Sequence, residues 1–388
     1  MNSLIPNSET AFYVFDIDRL LQRAAYLKKK LSERVELCYA VKANTFIIGE
    51  FIGKIGRFEV CSPGEAEICT TLGVDDKDMV ISGVYKTPSV IEKMVAEHDG
   101  RIYTVESLTQ FEMLRSLSEK YDRVLPVLLR LTNDSQFGMD SGEIKNIIAE
   151  RSKYKNLDIH GLQFFSGTQK TSLKKLNREV CKLDELLTFL REEYGFESKE
   201  LEYGPGFPVA YFEGEDVNEE ELLKSFSDII DSMQNKVKIV LELGRSMAAC
   251  CGSYYTHIVD IKHNKGQNYI LIDGGMHHLV YFGQHMAMKQ PIFSVCGKEN
   301  KPNTAEWNIC GSLCSMNDIV AKQVSLPDVS IGDLLCFENT GAYCMTECIS
   351  LFLSREIPAV YLKKADEYQL VRKSFETSAL NMPNIERK

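Results

Sequence analysis

The hydrophobic positions of this chain fall into two regimes. Up to about residue 250, apolar runs of strand length recur at 36–41, 57–61, 79–82, 101–105, 124–130, 159–165, 200–203 and 238–241. The segments between them carry helical spacing. The clearest is Leu173, Leu176, Val180, Leu183, Leu187, Leu190 and Tyr194, at intervals of three and four, with Gly195 placed as its C-cap. Eight strands alternating with helices predict an α/β architecture, a (β/α)8 TIM-like barrel over residues 31–250. A doubly wound sheet shares the alternation, but the count of eight favours the barrel. Past residue 251 the strands shorten and are joined by turns. Runs at 254–261 and 269–272 flank Asn-Lys-Gly, and 359–363 faces 368–372 across Ala-Asp-Glu. This predicts a C-terminal all-β, Greek-key-like domain over 251–375. A strand at 12–15 and a helix from about 18 open the chain (residues 1–30), with that strand expected to join the β-domain. Residues 376–388 read as a polar, frayed tail.

Composition narrows the function classes. The chain has 388 residues, 44% hydrophobic and 26% charged, as in ordinary globular proteins. No stretch approaches the 18 apolar residues of a membrane span. A formal net charge of −10 disfavours a nucleic-acid binder. The N-terminus has neither a basic start nor an apolar core of a signal peptide, so a cytoplasmic location is expected. Twelve cysteines include no Cys-x-x-Cys pair and no cluster at zinc spacing. His277 and His278 are adjacent, which on a strand points them apart. No third ligand is evident, so no metal is expected.

Barrel enzymes place their chemistry after the strands. Lys42 follows the first barrel run; a desolvated lysine there is an amine suited to a Schiff base, although an exposed strand-end lysine is the commoner case. The seventh run enters Tyr203-Gly204-Pro205-Gly206-Phe207-Pro208, and the eighth enters Glu242-Leu243-Gly244-Arg245. Loops at these two positions are where barrels bind phosphate, and glycine lets backbone N–H groups approach an anion. Glu242 would repel phosphate but suits a protonated ring nitrogen. An amine, phosphate loops and a carboxylate together suggest pyridoxal phosphate.

The motifs then resemble those of the fold-type III pyridoxal-phosphate decarboxylases, which act on ornithine, arginine and diaminopimelate. Tyr39-Ala40-Val41-Lys42-Ala43-Asn44 is similar to the family's lysine motif and Glu242-x-Gly244-Arg245 to its Glu-Pro-Gly-Arg. Cys310 to Asp318 resembles Gly-Pro-x-Cys-x-x-x-Asp, and Gly341-Ala342-Tyr343 matches Gly-Ala-Tyr. Segments 136–140, 165–169 and 273–278 look closest to a branch that decarboxylates a glutamyl group on an acyl carrier protein. The resemblance implies that Lys42 holds the cofactor and Glu242 meets its ring nitrogen. It places Gly204, Gly206, Gly244, Arg245, Thr168 and Tyr343 around the phosphate and Arg130 beneath the ring. Cys314 enters from the second subunit of a homodimer as proton donor.

Two departures from the pattern stand out. Phe165 occupies the place of a histidine that stacks on the ring; it can stack but carries no proton. Ser315 stands where an acidic residue meets the distal ammonium of a diamino acid, a loss of about 2–5 kcal/mol of binding. That disfavours a free diamino acid such as ornithine, lysine or diaminopimelate, unless Asp318 compensates. Lys28-Lys29-Lys30 and Lys363-Lys364 are candidate docking points for an acidic carrier, though such runs are more often solvated faces. An amino-acid racemase and a pseudoenzyme of the same family remain the rival readings.

Overall fold

The structure is a computed structural model describing residue 6 and residues 8–383. Strand β1 (Phe12–Asp16) and the helix Ile17–Lys30 come first. Eight strands follow: β2 (Val35–Ala40), β3 (Arg57–Val60), β4 (Met79–Ile81), β5 (Ile102–Val105), β6 (Leu125–Arg130), β7 (Leu157–Phe165), β8 (Glu200–Gly204) and β9 (Lys238–Leu243). They pair in parallel and in chain order, and β9 returns to β2 to close the barrel. Each lies within two residues of the run that predicted it. The helix Leu173–Tyr194 buries Leu176, Val180, Leu183, Leu187 and Leu190, and stops at Gly195, whose φ of 58° is left-handed.

Side-chain parity decides what enters the barrel. Residues paired between neighbouring strands share a face. The register pairs Ala40 with Glu59, Cys38 with Glu242, Arg130 with Gln163, and Phe165 with Gly204. Arg57 on β3 bonds Glu200 on β8 at 2.8 and 2.6 Å, between strands that are not neighbours, so this face is the interior. Glu202 lies there too, 0% exposed, with neither carboxyl oxygen hydrogen-bonded. Burial first, then the charge of Glu242, pushes its pKa well above the usual carboxylate range, against the pull of Arg57.

The chain divides into two compact units. One comprises residues 23–208 and 217–247 and contains the barrel; the other takes residues 8–22, 209–216 and 248–383. The second is built on a sheet in the order β14-β13-β11-β10-β1-β17-β18. Its strands are β10 (Gly252–Asn264), β11 (Gln267–Ile272), β12 (Phe293–Val295), β13 (Ala305–Cys310), β14 (Ile319–Leu326), β15 (Leu334–Glu338), β16 (Glu356–Ile357), β17 (Ala359–Lys364), β18 (Glu367–Arg372) and β19 (Phe375–Glu376). β1 lies antiparallel to β10 and parallel to β17. The β10–β11 turn uses Lys265 (φ 51°) and Gly266 (φ 77°), the two left-handed residues of a type I′ hairpin.

Two sequence expectations are corrected here. The stretch from 376 is not frayed as far as 383: β19 pairs with β16, and fully buried Thr377 donates to the Arg355 carbonyl at 2.6 Å. Its polarity hid a short ladder that backbone bonds hold; residues 384–388 lie outside the described part. His277 and His278 sit in a turn rather than on a strand, with ring centroids 3.8 Å apart and both rings buried. Among the described residues no cluster of metal ligands exists, and no helix is long and apolar enough to cross a membrane.

The histidine pair gives a pH dependence. Burial, then the neighbouring histidine, holds His277 down at about 3. Burial holds His278 at about 4. The unfolded chain protonates these rings near pH 6.5 (about) and the folded chain does not, so stability rises with pH across that interval. Urea midpoints are expected to fall as pH drops from about 6.5 toward 4, and His277→Phe should flatten that limb. Equal slopes in the wild type and the variant would contradict this assignment.

Candidate active site

Lys42 lies in a single 3-10 turn, Val41–Ala43, directly after β2. The Asn44 side chain accepts from the Phe46 N–H at 3.0 Å, and the Tyr39 hydroxyl donates to the Asn44 carbonyl at 2.9 Å. The turn is thereby fixed, and Lys42 continues the inward parity of β2. Its Nζ donates to Glu59 Oε2 at 2.7 Å and to Glu242 Oε1 at 3.2 Å. Cys61 Sγ is 3.6 Å from the same nitrogen and donates to Glu59 Oε1 at 3.1 Å. Gln163 Nε2 donates to the second oxygen of Glu242 at 3.2 Å.

Two buried carboxyls therefore share one ammonium. Burial, reinforced by the Glu59 charge, pushes Glu242 up. Burial opposes ionisation of Glu59 too, but Lys42 and the hydrogen bonds from Glu242 and Cys61 hold it below the usual range. Of the pair, Glu59 is the more acidic and Glu242 the more basic. These groups line a cavity of about 450 Å3, together with Arg130, Phe137, Phe165, Val84 and Tyr85. Arg130 is held by Glu106 at 2.8 Å and lies over the Phe137 ring, 5.0 Å from its centroid.

The glycine loops come together behind Phe165. A Cβ on Gly204 would sit 2.4 Å from the Phe165 ring. A Cβ on Gly206 would meet the Gly167 carbonyl at 2.0 Å, and its φ of 64° is left-handed. Arg245 follows Gly244 as the first residue of the short helix Arg245–Ala248, and its Nε donates to Thr168 Oγ1 at 3.4 Å. Thr168, Gly204, Gly206, Gly244 and Arg245 are thus drawn into one corner of the barrel rim. Gly206→Ala is expected to cost about 1–3 kcal/mol in chemical denaturation, from backbone strain alone. A loss below about 0.5 kcal/mol would show that the loop relaxes freely.

Cys314, Ser315, Asp318 and Tyr343 belong to the other unit. Cys314 is exposed on the loop before β14. Tyr343 holds φ at 66°, a conformation uncommon for a bulky residue. Asp318 corrects an expectation. It is 2% exposed, and its two oxygens accept the Met276 N–H at 2.7 Å and the Leu313 N–H at 2.8 Å. Those bonds occupy it as a brace of its own loop rather than leaving it for a substrate amine. The basic runs are also partly neutralised: Lys30 pairs with Glu220, and Lys363 with Asp16 at 3.0 Å.

The sequence reading missed Glu59, Cys61 and Gln163. A signal existed: Arg57, Glu59 and Cys61 alternate in a strand otherwise apolar, and polar residues at a period of two in a closed barrel point inward.

An amine, paired acids and a loop-lined anion corner match the needs of one cofactor family. Residues 17–249 match the family model described as pyridoxal-dependent decarboxylase, pyridoxal binding domain. The chain belongs to this family. It is 25% identical to an L-glutamyl-(BtrI acyl-carrier protein) decarboxylase from Niallia circulans, covering 96% of this chain and 93% of that protein. It is 26% identical to a diaminopimelate decarboxylase from Aquifex aeolicus, covering 86% and 82%. The fold matches the crystal structure of a diaminopimelate decarboxylase from M. jannaschii with a TM-score of 0.86 at 21% identity, covering 96% and 91%.

Proposed function

We propose that this enzyme catalyses pyridoxal-phosphate-dependent decarboxylation of an α-amino carboxylate, and that its substrate is an aminoacyl group tethered to a carrier protein in natural-product assembly. The residues present fit the cofactor. Lys42 would take its aldehyde carbon and Glu242 its ring nitrogen. Thr168, Gly204, Gly206, Gly244 and Arg245 would hold its phosphate, while Phe165 and Arg130 flank the ring. When bound, the cofactor supplies a sink for the electron pair left as CO2 departs.

The chain's own groups do the rest. Glu242 turns Oε1 toward Lys42 and receives Gln163 on its other oxygen, an acceptor pair that would suit a protonated ring nitrogen. Glu59 keeps the Lys42 ammonium oriented between uses. Phe165 excludes water from one wall and moves no proton. Cys314, contributed by the second copy of a homodimer, delivers a proton to the carbon that has lost its carboxylate. A thiol carries a transferable proton for that step.

The observation carrying the substrate assignment is the cavity wall. Its acidic side chains are Glu59 and Glu242, both engaged by Lys42, while Val84, Tyr85 and Phe137 line the rest. Ser315 stands in place of an acid, and Asp318 is committed to its own loop. The carrier-linked relative points the same way. A free diamino acid is the second reading, favoured by the diaminopimelate decarboxylase relatives. The test is CO2 release by cofactor-loaded protein from free ornithine, lysine, diaminopimelate, arginine and glutamate beside carrier-tethered aminoacyl groups. Tethered substrates are expected to win by about 10²-fold or more in kcat/KM. Faster turnover of a free diamino acid would overturn the assignment.

A further inference from the structure

The barrel holds a second buried lysine–glutamate pair, outside the cavity beside Lys42. Lys170 is 6% exposed, on the loop between β7 and the helix Leu173–Tyr194. Its Nζ donates to Glu179 Oε2 and to Ser166 Oγ, each at 2.7 Å. Ser166 Oγ donates to Glu179 Oε1 at 2.6 Å, and the Tyr203 hydroxyl donates to Glu179 Oε2 at 2.6 Å. The Lys170 N–H donates to the Gly206 carbonyl at 2.9 Å. One carboxylate on the helix therefore gathers donors from the end of β7, from the loop beyond it and from β8.

What lies inside this clasp gives it a purpose. Ser166 and Lys170 bracket Gly167, Thr168 and Gln169. The Gly167 carbonyl packs against Gly206, and Thr168 meets Arg245. These are the segments assigned above to the phosphate of the cofactor. A loop that binds an anion through backbone N–H groups has no charge of its own to spare, so its strength depends on geometry held in advance. A buried ion pair with every oxygen engaged supplies such geometry.

We infer that Lys170 and Glu179 are positioning residues for the phosphate end of the cofactor, fixing the 166–170 and 204–206 segments as a single anion cradle. The inference rests on the pyridoxal-phosphate reading. Neither side chain lines the cavity beside Lys42, so their influence on the chemistry passes through the loop they clamp. Burial opposes charge on both members: it lowers Lys170 despite the pull of Glu179, whereas on Glu179 the bonds from Lys170, Ser166 and Tyr203 outweigh it and keep the carboxyl below the usual range.

The experiment compares binding of pyridoxal 5'-phosphate and of pyridoxal, which lacks the phosphate, to the full-length apoprotein by equilibrium dialysis. Wild type, Lys170→Met, Lys170→Arg and Glu179→Gln are measured, with apoprotein melting temperatures alongside. Lys170→Met is expected to weaken the phosphorylated form about tenfold or more and pyridoxal less than about twofold, with Lys170→Arg recovering most of the loss. Equal weakening of both forms, or of neither, would overturn the inference and leave a purely structural pair. Should Lys170→Met fail to fold, Glu179→Gln and Lys170→Arg read the same contrast. A wild type that binds both forms equally would instead overturn the phosphate assignment, and the inference with it.

Discussion

Lys42→Ala is expected to lower kcat/KM by at least about 10³-fold, the size of effect that follows loss of a nucleophilic or acid–base group. Among the described residues this is the only amine lining the cavity, and it stands 2.7 Å from Glu59 and 3.2 Å from Glu242. Its removal has a second effect. Glu59 loses the cation that holds it ionised, and two buried carboxyls are left facing each other. Lys42→Ala should therefore take up a proton at neutral pH that the wild type does not hold. Lys42→Arg separates the two effects: it restores a cation for the acids but not a nucleophile. It is expected to match the wild type in urea unfolding and the alanine variant in activity. Activity within about tenfold of the wild type in Lys42→Arg would remove the lysine from the chemistry.

Glu242→Gln carries the next largest effect. The change preserves shape and can keep contacts with Gln163 and Lys42, but it cannot carry the charge. Removing a preorganised electrostatic partner of a reacting group costs about 10²–10³ in kcat. Cofactor affinity is expected to change far less, because the lysine and the loop corner remain. Loss of affinity with an unchanged kcat would place Glu242 in binding alone. Glu59→Gln should do less to the rate, since Glu59 acts on Lys42 rather than on the ring.

Legibility in the sequence followed the strength of local patterns. The eight barrel strands were readable because parallel strands buried on both faces appear as continuous apolar runs. Lys42, Glu242 and Arg245 drew attention as candidates because each stands at the rim end of such a run. Glu59 and Cys61 were not, since charge at a period of two inside a short run looks like noise until the barrel closes around it. The Lys170–Glu179 clasp was invisible for another reason. Its members are brought together by a helix packing back on a loop, and no spacing rule announces that. Asp318 differed in the opposite way: its motif position offered a partner for a substrate amine, whereas two backbone N–H groups claim its oxygens. The tail beyond 375 failed because a two-residue strand has no periodicity to detect.

The central claim is that this site removes CO2 rather than merely exchanging a proton. The most direct measurement supplies a carrier-tethered aminoacyl substrate, labelled in its α-carboxylate, to the cofactor-loaded protein in deuterated water. Label in the gas and deuterium in the resulting amine, both abolished in Lys42→Ala, are what the account predicts. Label retained in the amino acid, with deuterium at its α-carbon and inverted configuration, would contradict it and identify a racemase.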